Sequence, residues 1–251
     1  ETQFGVSNIN PTYNYTFDLN SGESFTDYDL TMFKTSLQWN PFSKFEYSEN
    51  GINETKAGYP KFTLQYTKSL ANVLGGDLSF SKVDFRTIQK FNYKNNASTE
   101  LVLTTGITSE NTPLTHMYHA YPNNVNKETI WSRFSVAGTN SFETMYFNEF
   151  FSDSFATLQL KHAFAPFNVS PWFKPQLVFI SRFALGTMKD TFRHQGISFN
   201  TLDKGFTESG LEINKLFFGF GLSFAYRYGA YHLPNIEDNI AVKFTFNISL
   251  D

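Results

Sequence analysis

Asp238-Asn239-Ile240-Ala241-Val242-Lys243-Phe244-Thr245-Phe246-Asn247-Ile248-Ser249-Leu250 places six apolar side chains on one parity and five mostly polar ones on the other. In a strand, successive side chains point to opposite faces. Ile240, Val242, Phe244, Phe246, Ile248 and Leu250 therefore share one face, and Ala241, Lys243, Thr245, Asn247 and Ser249 the other. One face is apolar and the other wet. A second strand of this kind precedes it: Phe218, Phe220, Leu222, Phe224, Tyr226 and Tyr228 line one face, opposite Gly219, Gly221, Ser223, Ala225 and Arg227. Joined through Gly229 to Glu237, the two form a predicted terminal hairpin. Each strand runs for about 11 residues, against roughly 5–6 in soluble sheets and 9–11 for a tilted bilayer crossing.

The same period recurs upstream. Phe33, Thr35, Leu37 and Trp39 alternate with polar residues, as do Phe62, Leu64 and Tyr66. Ala156, Leu158, Leu160, His162 and Phe164 oppose Phe155, Thr157, Gln159 and Lys161, and Leu177, Phe179 and Phe183 oppose Gln176 and Arg182. Connections are of two kinds. Glu49-Asn50-Gly51 and Gly75-Gly76-Asp77 are compact, whereas Ser109 to Glu128 and Lys189 to Glu208 are long and polar. Short turns on one rim and long loops on the other fit an outer-membrane barrel. No helical period, internal repeat or linker interrupts the chain, so residues 1–251 are expected to form one domain of roughly 10–14 antiparallel strands.

Composition narrows the classes. Aromatic residues make up 18% of the 251, with 30 Phe, while the hydrophobic total is only 41%. No stretch reaches the roughly 20 consecutive apolar residues of a membrane helix, so any crossing is made by strands. A net charge of −3 without a Lys/Arg run argues against nucleic acid. The absence of cysteine removes disulfides and thiolate metal sites. No leader-like segment opens the chain, which reads as a mature piece or a fragment. The Asn-x-Ser/Thr sequons at Asn14, Asn53, Asn96, Asn168 and Asn247 are chance matches in an Asn-rich sequence.

A soluble barrel or sandwich shows the same alternation with the apolar face turned inward. Strand length, Phe-rich faces and the aromatics Trp39, Trp172, Tyr226, Tyr228 and Tyr231 near strand ends favour lipid. The opposite faces carry Lys, Arg, Gln and Thr, which a dry core would leave unpaired. The expected fold is thus an all-β, antiparallel transmembrane β-barrel. Phe218, Phe220, Phe224, Val242, Phe244 and Phe246 are the lipid-facing candidates. Lys161, Arg182, Arg227 and Lys243 are the lumen-facing candidates, paired with carboxylates such as Glu212 or Asp238. The Gly219/Gly221 face leaves room for an inserted loop or relieves crowding in a coiled strand.

Tyr59 to Thr67, Glu149 to Phe155, Glu208 to Ile213, Ala225 to Tyr231 and Asp238 to Ala241 together resemble the barrel of a Bacteroidota outer-membrane family of unknown function. Its members commonly carry an N-terminal carboxypeptidase-regulatory-like domain, and the barrel is distantly similar to the BamA/TamA surface-antigen superfamily. The likeness runs from about Leu30 to the C-terminus. It implies the C-terminal part of a longer protein, one piece of a larger barrel. The superfamily's Val-Arg-Gly-aromatic loop tip has only a partial counterpart in Arg193-His194-Gln195-Gly196, so an insertase role does not carry over. The final strand also departs from the terminal aromatic that outer-membrane assembly reads, since Asn247 to Asp251 follow Phe246.

Chemistry is sparse. His116 and His119 stand three apart and face opposite ways on a strand, without a third ligand nearby, so no metal is expected. Ser154 and His162 lie about 27 Å apart along one strand and cannot meet within it. Asp153 reads as a turn residue and His162 as a girdle or lumen side chain. The expected function is that of a non-catalytic integral outer-membrane protein of surface-antigen type, a scaffold or conduit in envelope biogenesis or transport. It needs no cofactor, and its partners are the lipid bilayer and other outer-membrane or periplasmic proteins. The alternatives are an outer-membrane hydrolase with a Ser-His site at the rim, and a soluble carbohydrate-binding β-sandwich.

Overall fold

The computed structural model describes residues 1–49, 51–125, 135–171, 173–216 and 219–246. Phe218, Trp172, Ile248, Leu250 and the sequon at Asn247, all singled out above, lie outside the described residues. In chain order the strands are β1 (Thr2–Ile9), β2 (Thr16–Asp18), β3 (Ser24–Phe25), β4 (Tyr28–Trp39), β5 (Lys44–Ser48) and β6 (Gly51–Lys56). Next come β7 (Lys61–Ser69), β8 (Ser81–Asn92), β9 (Ser98–Thr108), β10 (Pro122–Asn124), β11 (Ser135–Val136) and β12 (Phe142–Tyr146). The last six are β13 (Ser154–Ala163), β14 (Gln176–Thr187), β15 (His194–Gln195), β16 (Phe206–Asn214), β17 (Phe220–Tyr228) and β18 (Ile240–Phe246).

One eleven-stranded sheet dominates, in the order β1-β4-β7-β8-β9-β13-β14-β16-β17-β18-β11. From β1 to β18 each strand pairs antiparallel with the next, and only the short β11 joins in parallel, through Ser135↔Lys243 and Val136↔Phe244. β4, β8 and β14 reach 12 residues, and β9 and β13 reach 11 and 10, well beyond the soluble norm. The expected closed barrel is not formed. Among the described residues β1 pairs with β4 alone and no register joins β1 to β18, so the sheet keeps two edges there. Closure needs a partner strand for each edge, and within this sheet only β11 meets one of them.

Register puts the ends of the long strands on two rims. The connections 10–27, 70–80, 109–153, 188–205 and 229–239 leave from one, here the loop rim. The connections 40–60, 93–97, 164–175 and 215–219 leave from the other, the turn rim. Two details differ from the sequence expectation: the Gly75-Gly76-Asp77 corner lies on the loop rim, and the turn rim carries the β5–β6 hairpin, exposed throughout.

Polarity is inverted relative to a soluble sheet. β17 alternates so that Phe220, Leu222, Phe224 and Tyr228 are exposed while Gly221, Ser223, Ala225 and Arg227 are buried. On β18, Phe244 and Phe246 are exposed and Val242 is half-buried, while Ala241 and Lys243 are buried. Leu37, Leu64, Val83, Ile107, Leu158, Phe183 and Leu211 continue the exposed apolar surface across the sheet. Segments from the long connections fill the opposite face. One apolar cluster near the loop rim gathers Tyr15, Phe17, Tyr28, Leu30, Phe80 and Phe151, and a second packs Phe142, Met145 and Phe150 against Ala184 and Phe206.

Candidate functional site

The covered face is organised by β12, all five of whose residues are buried. Cross-strand register sets Gln159, Arg182, Glu208 and Arg227 in one row over β13, β14, β16 and β17. Arg182 Nη1 donates to Glu208 Oε1 at 2.6 Å. The same carboxylate accepts the backbone N–H groups of Glu143 (3.0 Å) and Thr144 (2.8 Å) and the Thr144 hydroxyl (2.6 Å). Glu208 is therefore the joint between wall and filling, and its many donors offset the desolvation of a wholly buried anion. Glu143, also fully buried, stands 3.8 Å from Arg182 and accepts from Ser141, Gly138 and Asn123.

The other lumen-facing candidates are tied in the same manner. Arg227 grips Glu149 through both guanidinium nitrogens, at 2.8 and 3.0 Å, and lies 4.8 Å above the Phe206 ring. Lys243 spends its three protons on Asn123 O, Asn124 Oδ1 and Ser135 Oγ, at 2.7 to 2.9 Å. Lys161 meets Glu212 at 2.9 Å, the carboxylate named from sequence, beside a cavity of about 620 Å³ open toward the turn rim. Glu143, Glu149 and Glu208 were not named as charge partners from sequence, although Glu149 and Glu208 open two of the segments that carry the family resemblance. Glu143 and Glu149 sit in the 109–153 connection, where nothing in the local pattern marks a buried carboxylate.

At the loop rim, Arg193-His194-Gln195-Gly196 folds onto the N-terminal connection. Arg193 is buried over the Phe17 ring, donating to Asp18 O (2.7 Å), Glu110 O (2.8 Å) and Asn111 Oδ1 (2.9 Å). His194 Nδ1 shares a 2.8 Å hydrogen bond with the Tyr15 hydroxyl. Burial, aided by the adjacent Arg193 charge, pushes His194 down to about 4. Burial likewise raises the Tyr15 phenol. Gly196 has a φ of +80°, and a side chain there would run into the backbone oxygen of Asn14, so only glycine lets the two segments close.

The structure separates the hydrolase pair. Ser154 lies at the loop rim and His162 at the turn rim, where Nδ1 meets Thr99 Oγ1 at 2.8 Å. His116 packs on the Phe80 ring, whereas His119 lies edge-on to Tyr121. Among the described residues no three His, Cys, Asp or Glu side chains gather as a metal site would require. At Gly221 a side chain would strike Thr245 and Asn214, which supports relief of crowding over an inserted loop. Tyr231, expected in an aromatic girdle, instead packs 4.9 Å from Phe150 and donates to Thr201 O, locking two loops together.

Comparison with protein families matches residues 2–168 to the C-terminal domain of a family of unknown function, DUF5686. The chain belongs to this family. The match takes in Tyr59 to Thr67 and Glu149 to Phe155, whereas Glu208 to Ile213, Ala225 to Tyr231 and Asp238 to Ala241 fall beyond it. The family region therefore spans β1 to β13 with the inserted connection. The match begins before Leu30, where the expected likeness began, and covers its part up to residue 168. No curated protein matches the chain.

Proposed function

We propose that this DUF5686 domain is wall and filling of an outer-membrane β-barrel, non-catalytic and serving envelope biogenesis or transport as a scaffold or conduit. The observation that carries the reading is the inverted polarity: Leu64, Leu158, Leu222 and Phe224 are exposed on the outside, while Arg182, Glu208, Arg227 and Lys243 are buried inside. Water makes so extensive an apolar exterior unfavourable, and a bilayer reverses the sign. The charged interior is possible because Arg182 pairs with Glu208, Arg227 pairs with Glu149 and Lys243 is held by three oxygen acceptors, as a plugged lumen demands.

The lipid reading has a structural corollary. An open sheet edge does not survive in hydrocarbon, where unpaired N–H and C=O groups find no water. The free edge of β1 and the largely free edge of β18 must then pair with further strands, which makes these ten antiparallel strands part of a larger barrel. Both ends of the meander reach the turn rim, since Thr2 sits opposite Thr35 and Phe246 opposite Phe220. With its shorter turns, that rim is assigned to the periplasm and the loop rim to the outside.

Heat modifiability tests the proposal. Protein extracted from membranes in mild detergent is compared boiled and unboiled, for this chain and for the natural full-length product. A mobility shift in the full-length product alone supports a larger barrel, and a shift in both supports closure by these residues in solution. A protein that stays in aqueous solution without detergent and shows no shift sinks the barrel reading and favours a soluble sheet.

A further inference from the structure

Arg86 is the exception among the described arginines. Arg182 and Arg227 face carboxylates, and Arg193 is held by two carbonyls and Asn111. Arg86 stands on the covered face of β8, and among the described residues it enters no ion pair. Its Nε is buried without a partner, as are those of Arg182 and Arg227, but those two have carboxylates on their terminal nitrogens. Its one hydrogen bond runs from Nη2 to the Asn140 side-chain oxygen, 2.5 Å away when that amide is turned to satisfy both its ends. A guanidinium has five donors, so most of its bonding capacity is unused among the described residues.

Arg86 lines a cavity of about 330 Å³, with Thr104, Tyr121, Asn140 and Gln159 on its walls. Tyr121 is placed there at a cost. Ala120 and Tyr121 both have positive φ, +52° and +56°, a region costing on the order of 1–3 kcal/mol per non-glycine residue. The bend is held by the Phe142 N–H, which donates to Tyr121 O at 2.9 Å. The cavity and the wider 620 Å³ space toward the turn rim share Gly138 and Thr139 in their linings, so the two spaces adjoin. In that outer space Lys161 and Lys90 already face Glu212 and Glu100, at 2.9 and 4.0 Å, and Lys215 stands exposed on its lining, so Arg86 is the inner cation that has no carboxylate partner among the described residues.

We propose that Arg86 anchors a binding site for the oxyanion group of a small solute, a carboxylate or a phosphate, entering from the turn rim. The planar fork of the guanidinium matches both groups bidentately. Thr104 and Tyr121, both hydroxyl-bearing, line the same cavity, and the volume admits a small polar remainder behind the anion.

Calorimetric titration of the detergent-solubilised protein with inorganic phosphate and, separately, acetate tests this, with the unboiled gel position as the check on folding. The site predicts saturable binding of at least one anion. Arg86→Gln weakens it about ten-fold or more, and Arg86→Lys, which keeps the charge but loses the fork, falls between. The stronger of the two anions identifies the group. Absence of saturable binding to folded protein overturns the proposal, as does unchanged affinity in folded Arg86→Gln. If that variant does not fold, Thr104→Val decides: weakened binding supports the site and unchanged binding overturns it. The titration does not depend on lipid. A chain that needs no detergent yet binds phosphate through Arg86 would sink the barrel reading and leave the site standing.

Discussion

Two halves of one sheet carry charge on the same face and handle it differently. Across β13 to β18 the 109–153 connection lays β12 on the wall, and Arg182, Arg227 and Lys243 are each tied to a residue of that connection or to Glu208. Across β4 to β9 the covering is thinner. Lys34, Lys82, Arg86 and Lys90 border cavities, with Asp84 and Glu100 as the carboxylates on the same face of β4 to β9. Strand parity makes the face polar in both halves. The inserted segment decides whether it becomes a dry network or a wet recess.

The largest test of that contrast is the joint at Glu208. In Glu208→Ala the buried Arg182 loses its ion-pair partner, and the Glu143 and Thr144 amides lose their acceptor. A loss of about 3–5 kcal/mol is expected, since a buried charge is left uncompensated. Denaturation in detergent micelles reads it directly. Arg86→Ala in the wet half should cost far less, and equal losses would erase the distinction between the halves.

The outer face supplies the next effect. Phe224 is 45% exposed at the middle of β17. Phe224→Arg should cost about 2–4 kcal/mol in a bilayer if β17 crosses at mid-depth. In a water-soluble sheet the same change would be neutral or would improve solubility. Folding into lipid vesicles, compared with the parent, separates these outcomes.

Much of this arrangement was legible in the sequence because period two is a local signal. The faces of β4, β7, β13, β14, β17 and β18 follow from alternation alone, and the basic residues stood out because Lys and Arg interrupt otherwise small or polar inner positions. What was hidden is non-local. Phe142-Glu143-Thr144-Met145-Tyr146 does not reveal that all five residues are buried, because the reason is Glu208, on a distant strand. Closure was illegible for the same reason: an edge is free or paired according to strands elsewhere in the chain. Tyr231 misled because an aromatic near a strand end has the same signature whether it meets headgroups or another loop.

Acid should loosen the loop rim before the wall. His194 is held near 4, below the roughly 6.5 of an unfolded histidine, so the unfolded chain binds a proton that the folded one refuses. The stability contributed by neutral His194 is full above about 6.5 and is lost as pH falls toward 4, on the order of 2–3 kcal/mol. Melting curves from pH 7 to 4 should fall less steeply in His194→Asn than in the parent. Parallel slopes would show that burial beside Arg193 does not keep His194 neutral.

The smallest effect sharpens the boundary between dry and wet. Lys161 meets Glu212 at 2.9 Å; its side chain is 43% exposed and that of Glu212 3%, and both residues line the cavity that opens toward the turn rim, so removing the lysine opens the carboxylate to it. Water there can replace the ammonium, and Asn214 Nδ2 already donates to Glu212 at 3.1 Å. Lys161→Met should therefore cost less than about 1 kcal/mol, as partly exposed ion pairs do. The comparison with Glu208→Ala then rests on one variable, the access of water to the carboxylate left behind. A loss near that of Glu208→Ala would mean the recess excludes water, and the Arg86 cavity behind it would be closed to solutes as well.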